Sequence, residues 1–201
     1  MSLFKKKISV EGFLSKQIIL QFYFWENNFT TVIDTIDEVK VLTDEDKRDF
    51  LDKIPELAMA NLIMDCSYHL GRKMAREDVA VNVLIGYGVY LTEIKEMSQE
   101  AAEQRKKRLR EFLALVGEAE EWAQTYDEEC KETGYQPLYR CKTDIDKVRR
   151  ALGLAFARYC VGTDLNSENY LPRQRAALGL AGKAVCADIV GLALKEYSIR
   201  L

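Results

Sequence analysis

Apolar side chains recur at steps of three and four residues along most of the chain. This spacing places apolar side chains on one face of an α-helix. Only three prolines interrupt the wider pattern, so the sequence predicts an all-α fold. The first such series comprises Leu14, Ile18, Phe22, Trp25, Phe29, Val32, Ile36 and Val39.

The spacing, together with residues that favour helix ends, predicts a bundle of about six helices. Hydroxyl side chains that can cap a helix stand before the second and fourth helices, at Thr43 and Ser98. The third helix is apolar around most of its circumference, which predicts a central position. We expect one domain over residues 1–201, with 134–142 as a possible subdivision. The predicted helices cover residues 10–40, 43–70, 78–97, 98–133, 143–162 and 172–198.

Composition is typical of a folded protein with an ordinary polar surface. Apolar residues make up 48% of the chain, charged residues make up 30%, and the net charge is -3. The five cysteines contain no CxxC pair, which fits reduced thiols in the cytoplasm. The most apolar stretch, 176–194, contains Lys183 and Asp188, so it favours a buried helix over a membrane span. We therefore expect a cytoplasmic protein without a membrane span.

The sequence contains no motif that assigns an enzymatic chemistry. It lacks a phosphate-binding GxxxxGK[ST] loop and the Glu-x-x-His repeats of di-iron bundles. The Gly86–Gly88 segment lacks the rest of a dinucleotide fingerprint, and we interpret it as a close-packing point. Asp65, Cys66 and the single histidine, His69, could supply metal ligands or an acid–base pair. No second cluster completes such a site, so His69 is interpreted as a helix-end residue, and no metal, cofactor or enzyme activity is predicted.

The fourth predicted helix carries its charges in two blocks, a basic one followed by an acidic one. Acidic side chains near a helix C-terminus oppose the helix dipole, so structure alone does not favour this order. We interpret the helix as a surface that binds a protein partner or a second copy of the chain. The alternative is a solvated helix with local pairs such as Glu103 with Lys107. The predicted partner-binding residues are Arg105, Lys106, Lys107, Arg108, Arg110, Glu121 and Glu128.

A polar strip crosses the apolar third helix at Asn82, Gly86, Val89 and Glu93. Two interpretations are open, because the strip either faces water or faces inward. If it faces inward, Glu93 needs a partner for its charge, and a pocket between helices could bind a small apolar or aromatic ligand. The predicted ligand-binding residues are Trp25, Asn82, Tyr87, Tyr90 and Glu93.

These features favour a non-enzymatic interaction or regulatory protein that forms a homodimer through charged helical surfaces. The alternative is a helical module that binds a small ligand between its helices. A second basic cluster begins before the fifth helix, at Arg140 and Lys142, and continues along that helix to the start of the sixth. Four acidic residues dilute it, which argues against nucleic-acid binding. They are Asp144, Asp146, Asp164 and Glu168.

Overall fold

The computed structural model describes residues 6–33, 35–71, 74–133, 144–162, 170–185 and 189–200. Helix dominates these residues, and six helices have 14 residues or more. The predicted all-α bundle of about six helices is therefore confirmed. In chain order the α-helices are α1 (Val10–Gly12), α2 (Ile18–Ile33), α3 (Asp44–Leu70), α4 (Arg76–Val89), α5 (Gln99–Thr133), α6 (Asp144–Val161), α7 (Tyr170–Val185) and α8 (Ile189–Glu196).

Local signals in the sequence locate several helix ends correctly. The Thr43 hydroxyl accepts a hydrogen bond from the backbone N–H of Asp46 at 3.1 Å, where α3 begins. The Ser98 hydroxyl accepts one from the N–H of Ala101 at 3.2 Å, where α5 begins. Each cap satisfies a backbone donor that has no partner within the helix. Gly162 follows α6 with a φ of 78°, the left-handed conformation that glycine adopts readily.

The first predicted helix is wrong beyond residue 33. Helix α2 ends at Ile33, and a 3₁₀ turn occupies Asp37–Val39. Ile36 and Val39 are nevertheless buried, at 3% exposure each. A 3₁₀ turn repeats every three residues, so it keeps these two side chains on one face as the helical spacing requires.

The end of the last predicted helix is also wrong, because Tyr197–Arg200 forms a strand, β2, that pairs in parallel with strand β1 (Lys6–Ser9). In this register Lys6 lies opposite Tyr197. The Tyr197 ring packs edge-on against Phe13, with centroids 6.3 Å apart. Its hydroxyl donates to Oε1 of Gln17 at 2.9 Å. Backbone pairing with β1 and these side-chain contacts therefore replace the last helical turn.

The described residues form two compact units, each built from separate stretches of the chain. The first unit comprises described residues within 6–28, 62–108 and 189–200, and it includes both strands. The second unit comprises described residues within 29–61 and 109–185. The predicted subdivision at 134–142 lies outside the described residues, so the single-domain assignment stays a prediction.

In the first unit, α4 is buried along one face only. Val79, Val83 and Tyr87 are each 0% exposed on that face. The opposite face carries three branched apolar side chains at steps of four residues, which we call the apolar stripe. Its members are 53%, 56% and 43% exposed at Val81, Ile85 and Val89.

Gly86 is a close-packing point, as the sequence predicts. A Cβ atom at this position would lie 2.8 Å from Cγ1 of Ile19 and 3.0 Å from the Cα atom of Ser15. Ser15 belongs to a π-helical turn, Phe13–Gln17, which packs against α4. Glycine is required here because any side chain would collide with this turn.

The second unit has an aromatic and aliphatic core shared by α5, α6 and α7. Phe112 and Phe156 pack edge-on, with ring centroids 6.4 Å apart. On α7, a Cβ atom at Gly179 would lie 3.1 Å from Cγ2 of Ile36, so the glycine lets α7 approach the 3₁₀ segment. An ion pair between Arg173 and Asp46 joins α7 to the start of α3, with Nε and Oδ1 3.2 Å apart.

Candidate functional site

An aromatic cluster lies in the core of the first unit. Phe22 is at its centre, with ring centroids 5.7 Å from Trp25, 6.3 Å from Tyr87 and 5.4 Å from Tyr90. The rings of Tyr87 and Tyr90 are nearly parallel, at 14° and 6.1 Å. These two tyrosines are 0% and 1% exposed. The structure therefore brings together Trp25, Tyr87 and Tyr90, three of the five predicted ligand-binding residues.

The other two predicted ligand-binding residues do not join these ring contacts. The side-chain amide of Asn82 donates to the backbone carbonyl of Asp78 at 2.9 Å, one turn back along α4. Glu93 is exposed to solvent. The predicted strip is also broken, since Gly86 is buried whereas Val89 lies on the apolar stripe. Glu93 therefore does not supply the buried carboxylate that an inward-facing strip would require.

A different carboxylate lies at the edge of the aromatic cluster. Nζ of Lys95 lies 2.8 Å from Oε2 of Glu26, and the two side chains are 36% and 21% exposed. The same ammonium group lies 5.7 Å from the centre of the Tyr90 ring. We call Glu26, Tyr90 and Lys95 the ammonium corner. Sequence reasoning missed Phe22, Glu26 and Lys95 as site residues, because only folding brings α2 against the end of α4.

The π-helical turn Tyr90–Ile94 explains why Lys95 rather than Glu93 faces Tyr90. In this turn the backbone N–H of Lys95 donates to the carbonyl of Tyr90 at 3.0 Å, a step of five residues. A regular α-helix repeats after three or four residues and would bring Glu93 or Ile94 over Tyr90. The longer step brings the lysine there instead.

The basic block of α5 comprises Arg105, Lys106, Lys107, Arg108 and Arg110. Nζ of Lys106 lies 2.7 Å from Oε1 of Glu103. A Cβ atom at Gly88 would lie 3.0 Å from the same Nζ, so the basic block begins beside α4. Lys107, Arg110 and Glu128 are exposed, while Arg105 and Arg108 are half-buried. The Glu121 side chain lies outside the described part of the chain.

Asp65, Cys66 and His69, which the sequence offers as possible metal ligands or an acid–base pair, differ in their exposure. Asp65 and Cys66 are 2% and 0% exposed, whereas His69 is exposed and its ring lies 5.4 Å from that of Tyr68. Within the described ranges, no group of three or more His, Cys, Asp or Glu side chains is arranged to hold a metal ion.

Two buried thiols are expected to resist alkylation. Burial raises the pKa of Cys66 and of Cys160 far above the ordinary thiol range, and the neighbouring Asp65 adds to the shift at Cys66. Both groups therefore stay protonated at mildly alkaline pH, where an exposed cysteine is partly a reactive thiolate. Iodoacetamide labelling followed by peptide mass spectrometry should show neither residue modified in the folded protein and both modified in denaturant. Rapid labelling of either in the folded state would contradict this expectation.

One apolar segment, Tyr170–Glu196, is long and apolar enough to cross a membrane, and 71% of its most apolar window is buried in the structure. It runs through residues 186–188, which lie outside the described part. A core helix of a soluble protein passes the same test, so the segment assigns no membrane role. Comparison with protein-family models, curated proteins and solved structures gives no match to this chain.

Proposed function

We propose that the protein is a non-enzymatic helical interaction protein that self-associates as a homodimer. The observation that supports this proposal is the apolar stripe, whose three side chains are about half exposed. Single exposed apolar residues are ordinary, whereas a contiguous row is typical of an interaction surface. Residues four apart on a helix are neighbours, so Val81, Ile85 and Val89 form one ridge about 12 Å long.

A second copy of the same chain fits this ridge in shape and in charge. A twofold axis at Ile85 pairs Val81 of one copy with Val89 of the other, in an antiparallel arrangement. The exposed acidic residues Glu77 and Asp78 lie in the first turn of α4. They then lie near the far end of the other copy's α4, where the basic block begins. Opposite charges at both ends orient the two copies and make the charged surface of α5 the rim of the interface.

Replacing Ile85 by aspartate should abolish self-association. The substitution places a charge at the centre of the ridge, where it must be desolvated on association. We expect a loss of at least about 2 kcal/mol of association free energy, or about thirtyfold in the dissociation constant. Sedimentation velocity over a concentration series measures the shift from dimer to monomer.

Val41→Asp is the matched control, since Val41 is 68% exposed and belongs to the second unit, whereas α4 belongs to the first. It should dimerise like the wild type. A wild-type protein that stays monomeric at every concentration would contradict the proposal. So would an Ile85→Asp variant that dimerises as tightly as the wild type.

A further inference from the structure

Two buried polar atoms of the ammonium corner lack a hydrogen-bond partner among the described residues. They are the hydroxyl oxygen of Tyr90 and Oε2 of Glu26. Nζ of Lys95 is 2.8 Å from this Oε2 but lies outside hydrogen-bonding geometry. The lysine therefore neutralises the carboxylate charge without donating a well-directed hydrogen bond. Buried polar groups without partners destabilise a fold, so a ligand that provides hydrogen bonds to these atoms would offset that cost.

The chemistry of the ammonium corner selects one class of ligand. A carboxylate only accepts hydrogen bonds, a phenol hydroxyl accepts or donates them, and the face of an aromatic ring attracts a cation. An ammonium group with N–H donors can donate hydrogen bonds to the carboxylate and to the hydroxyl, and its charge is attracted to the face of the ring. A quaternary ammonium has no N–H to donate, and an alcohol has no charge. Lys95 already shows that an ammonium group is accommodated beside Glu26 and Tyr90.

The backbone around Lys95 is irregular on both sides. The π-helical turn Tyr90–Ile94 precedes it. Glu96 follows with a φ of 53°, a left-handed conformation that is unfavourable for a residue other than glycine. π-Helical turns and such backbone conformations are concentrated at functional sites. The Lys95 side chain, which is 36% exposed, can therefore leave the corner without breaking a regular helix.

We propose that the ammonium corner is a binding site for a primary ammonium compound, and that Lys95 occupies it until such a compound displaces the lysine. The untethered ligand takes the place of the Lys95 ammonium group and shifts within the corner, so that it donates hydrogen bonds to Oε2 of Glu26 and to the Tyr90 hydroxyl. The site does not depend on the proposed self-association, because it uses none of the apolar stripe.

Chemical rescue provides the test. Lys95→Ala removes three methylene groups and the ammonium group, and n-propylammonium contains the same atoms. The tethered Lys95 competes at an effective concentration of about millimolar, so removing it should strengthen external binding. We expect Lys95→Ala to bind n-propylammonium with a Kd of about 1 mM by isothermal titration calorimetry, about twofold more tightly than the wild type, because a competitor at an effective concentration equal to the Kd halves the apparent affinity.

Three controls isolate the chemistry of the corner. Glu26→Gln in the Lys95→Ala background keeps the shape of the side chain and should weaken binding at least about tenfold. Lys107→Ala removes an exposed lysine elsewhere and should bind as weakly as the wild type. Tetramethylammonium and n-propanol should not bind to Lys95→Ala, because the first lacks N–H donors and the second lacks charge.

Several outcomes would overturn the proposal. If n-propylammonium binds Lys95→Ala but never the wild type, Lys95 is a permanent structural partner. Equal binding of n-propanol would show an apolar cavity without selectivity for charge. If Lys95→Ala does not fold, the proposal is tested instead with Tyr90→Phe in an otherwise wild-type protein. We expect a higher Tm, because an unpartnered hydroxyl is lost, together with weaker n-propylammonium binding. Unchanged binding would overturn the proposal.

Discussion

Replacing Phe22 by alanine is expected to destabilise the protein by about 3–5 kcal/mol. Phe22 is 0% exposed, and its ring contacts those of Trp25, Tyr87 and Tyr90 at centroid distances of 5.4–6.3 Å. Truncation removes the buried apolar ring together with its aromatic contacts. It also leaves a cavity, because the surrounding helices relax only in part. Urea unfolding followed by circular dichroism measures the change in the free energy of unfolding.

Phe24 provides the matched control for this prediction, since it lies two residues further along α2 and is 60% exposed. Phe24→Ala should change the free energy of unfolding by no more than about 0.5 kcal/mol. Hydrogen exchange should show the effect of Phe22→Ala in the first unit, at 6–28 and 62–108. Similar losses of stability in the two variants would contradict a core centred on Phe22.

Most of the helical architecture could be predicted because its signals are local. Apolar spacing depends on residues three and four apart, and a cap such as Thr43 bonds to an N–H three residues away. The start of α5 after Ser98 follows from the same physics. Pro55 lies within α3, which continues to Leu70, so a proline interrupts the spacing without ending the helix.

The features that sequence reasoning missed depend on contacts between distant residues. Lys6 pairs with Tyr197, and no local pattern at either end of the chain indicates that the two segments pair as strands. The exposed stripe on α4 was also missed, because an apolar helix gives the same pattern whether it is buried on one face or on all. Which of its faces is covered depends on where the Phe13–Gln17 turn packs, and Gly86 permits that close approach.

The candidate site was predicted only in part, because some of its contacts join residues that are distant in the sequence. Aromatic residues on apolar helix faces are expected in a core, so Trp25, Tyr87 and Tyr90 could be selected from the sequence. Their charged neighbour could not, because the π-helical turn replaces the expected Glu93 with Lys95. The extra residue in the helical repeat brings Lys95 over Tyr90 where a regular four-residue step would bring Ile94, and Glu93, the predicted carboxylate, stays exposed.

Replacing Gly86 by alanine is expected to destabilise the protein by about 2 kcal/mol. The new methyl group would lie 2.8 Å from Cγ1 of Ile19 and 3.0 Å from both Cα and the carbonyl oxygen of Ser15. Two of these three atoms belong to the backbone and cannot rotate away, so α4 must shift from the Phe13–Gln17 turn. This overpacking outweighs the gain of about 1 kcal/mol that alanine brings within a helix. Thermal and urea unfolding both measure the net change.

Gly88 is the matched control, because it lies on the same helix and differs in what its Cβ atom would meet. Those atoms are Cε and Nζ of Lys106, both at 3.0 Å, at the free end of a flexible side chain. Lys106 can move aside, so the helix propensity of alanine dominates and Gly88→Ala should be neutral or up to about 1 kcal/mol more stable. Two glycine substitutions two residues apart should therefore differ in sign. If Gly86→Ala is instead as stable as Gly88→Ala, the close packing of α4 against the Phe13–Gln17 turn is refuted, and with it the geometry that brings Phe22 to Tyr87 and Tyr90.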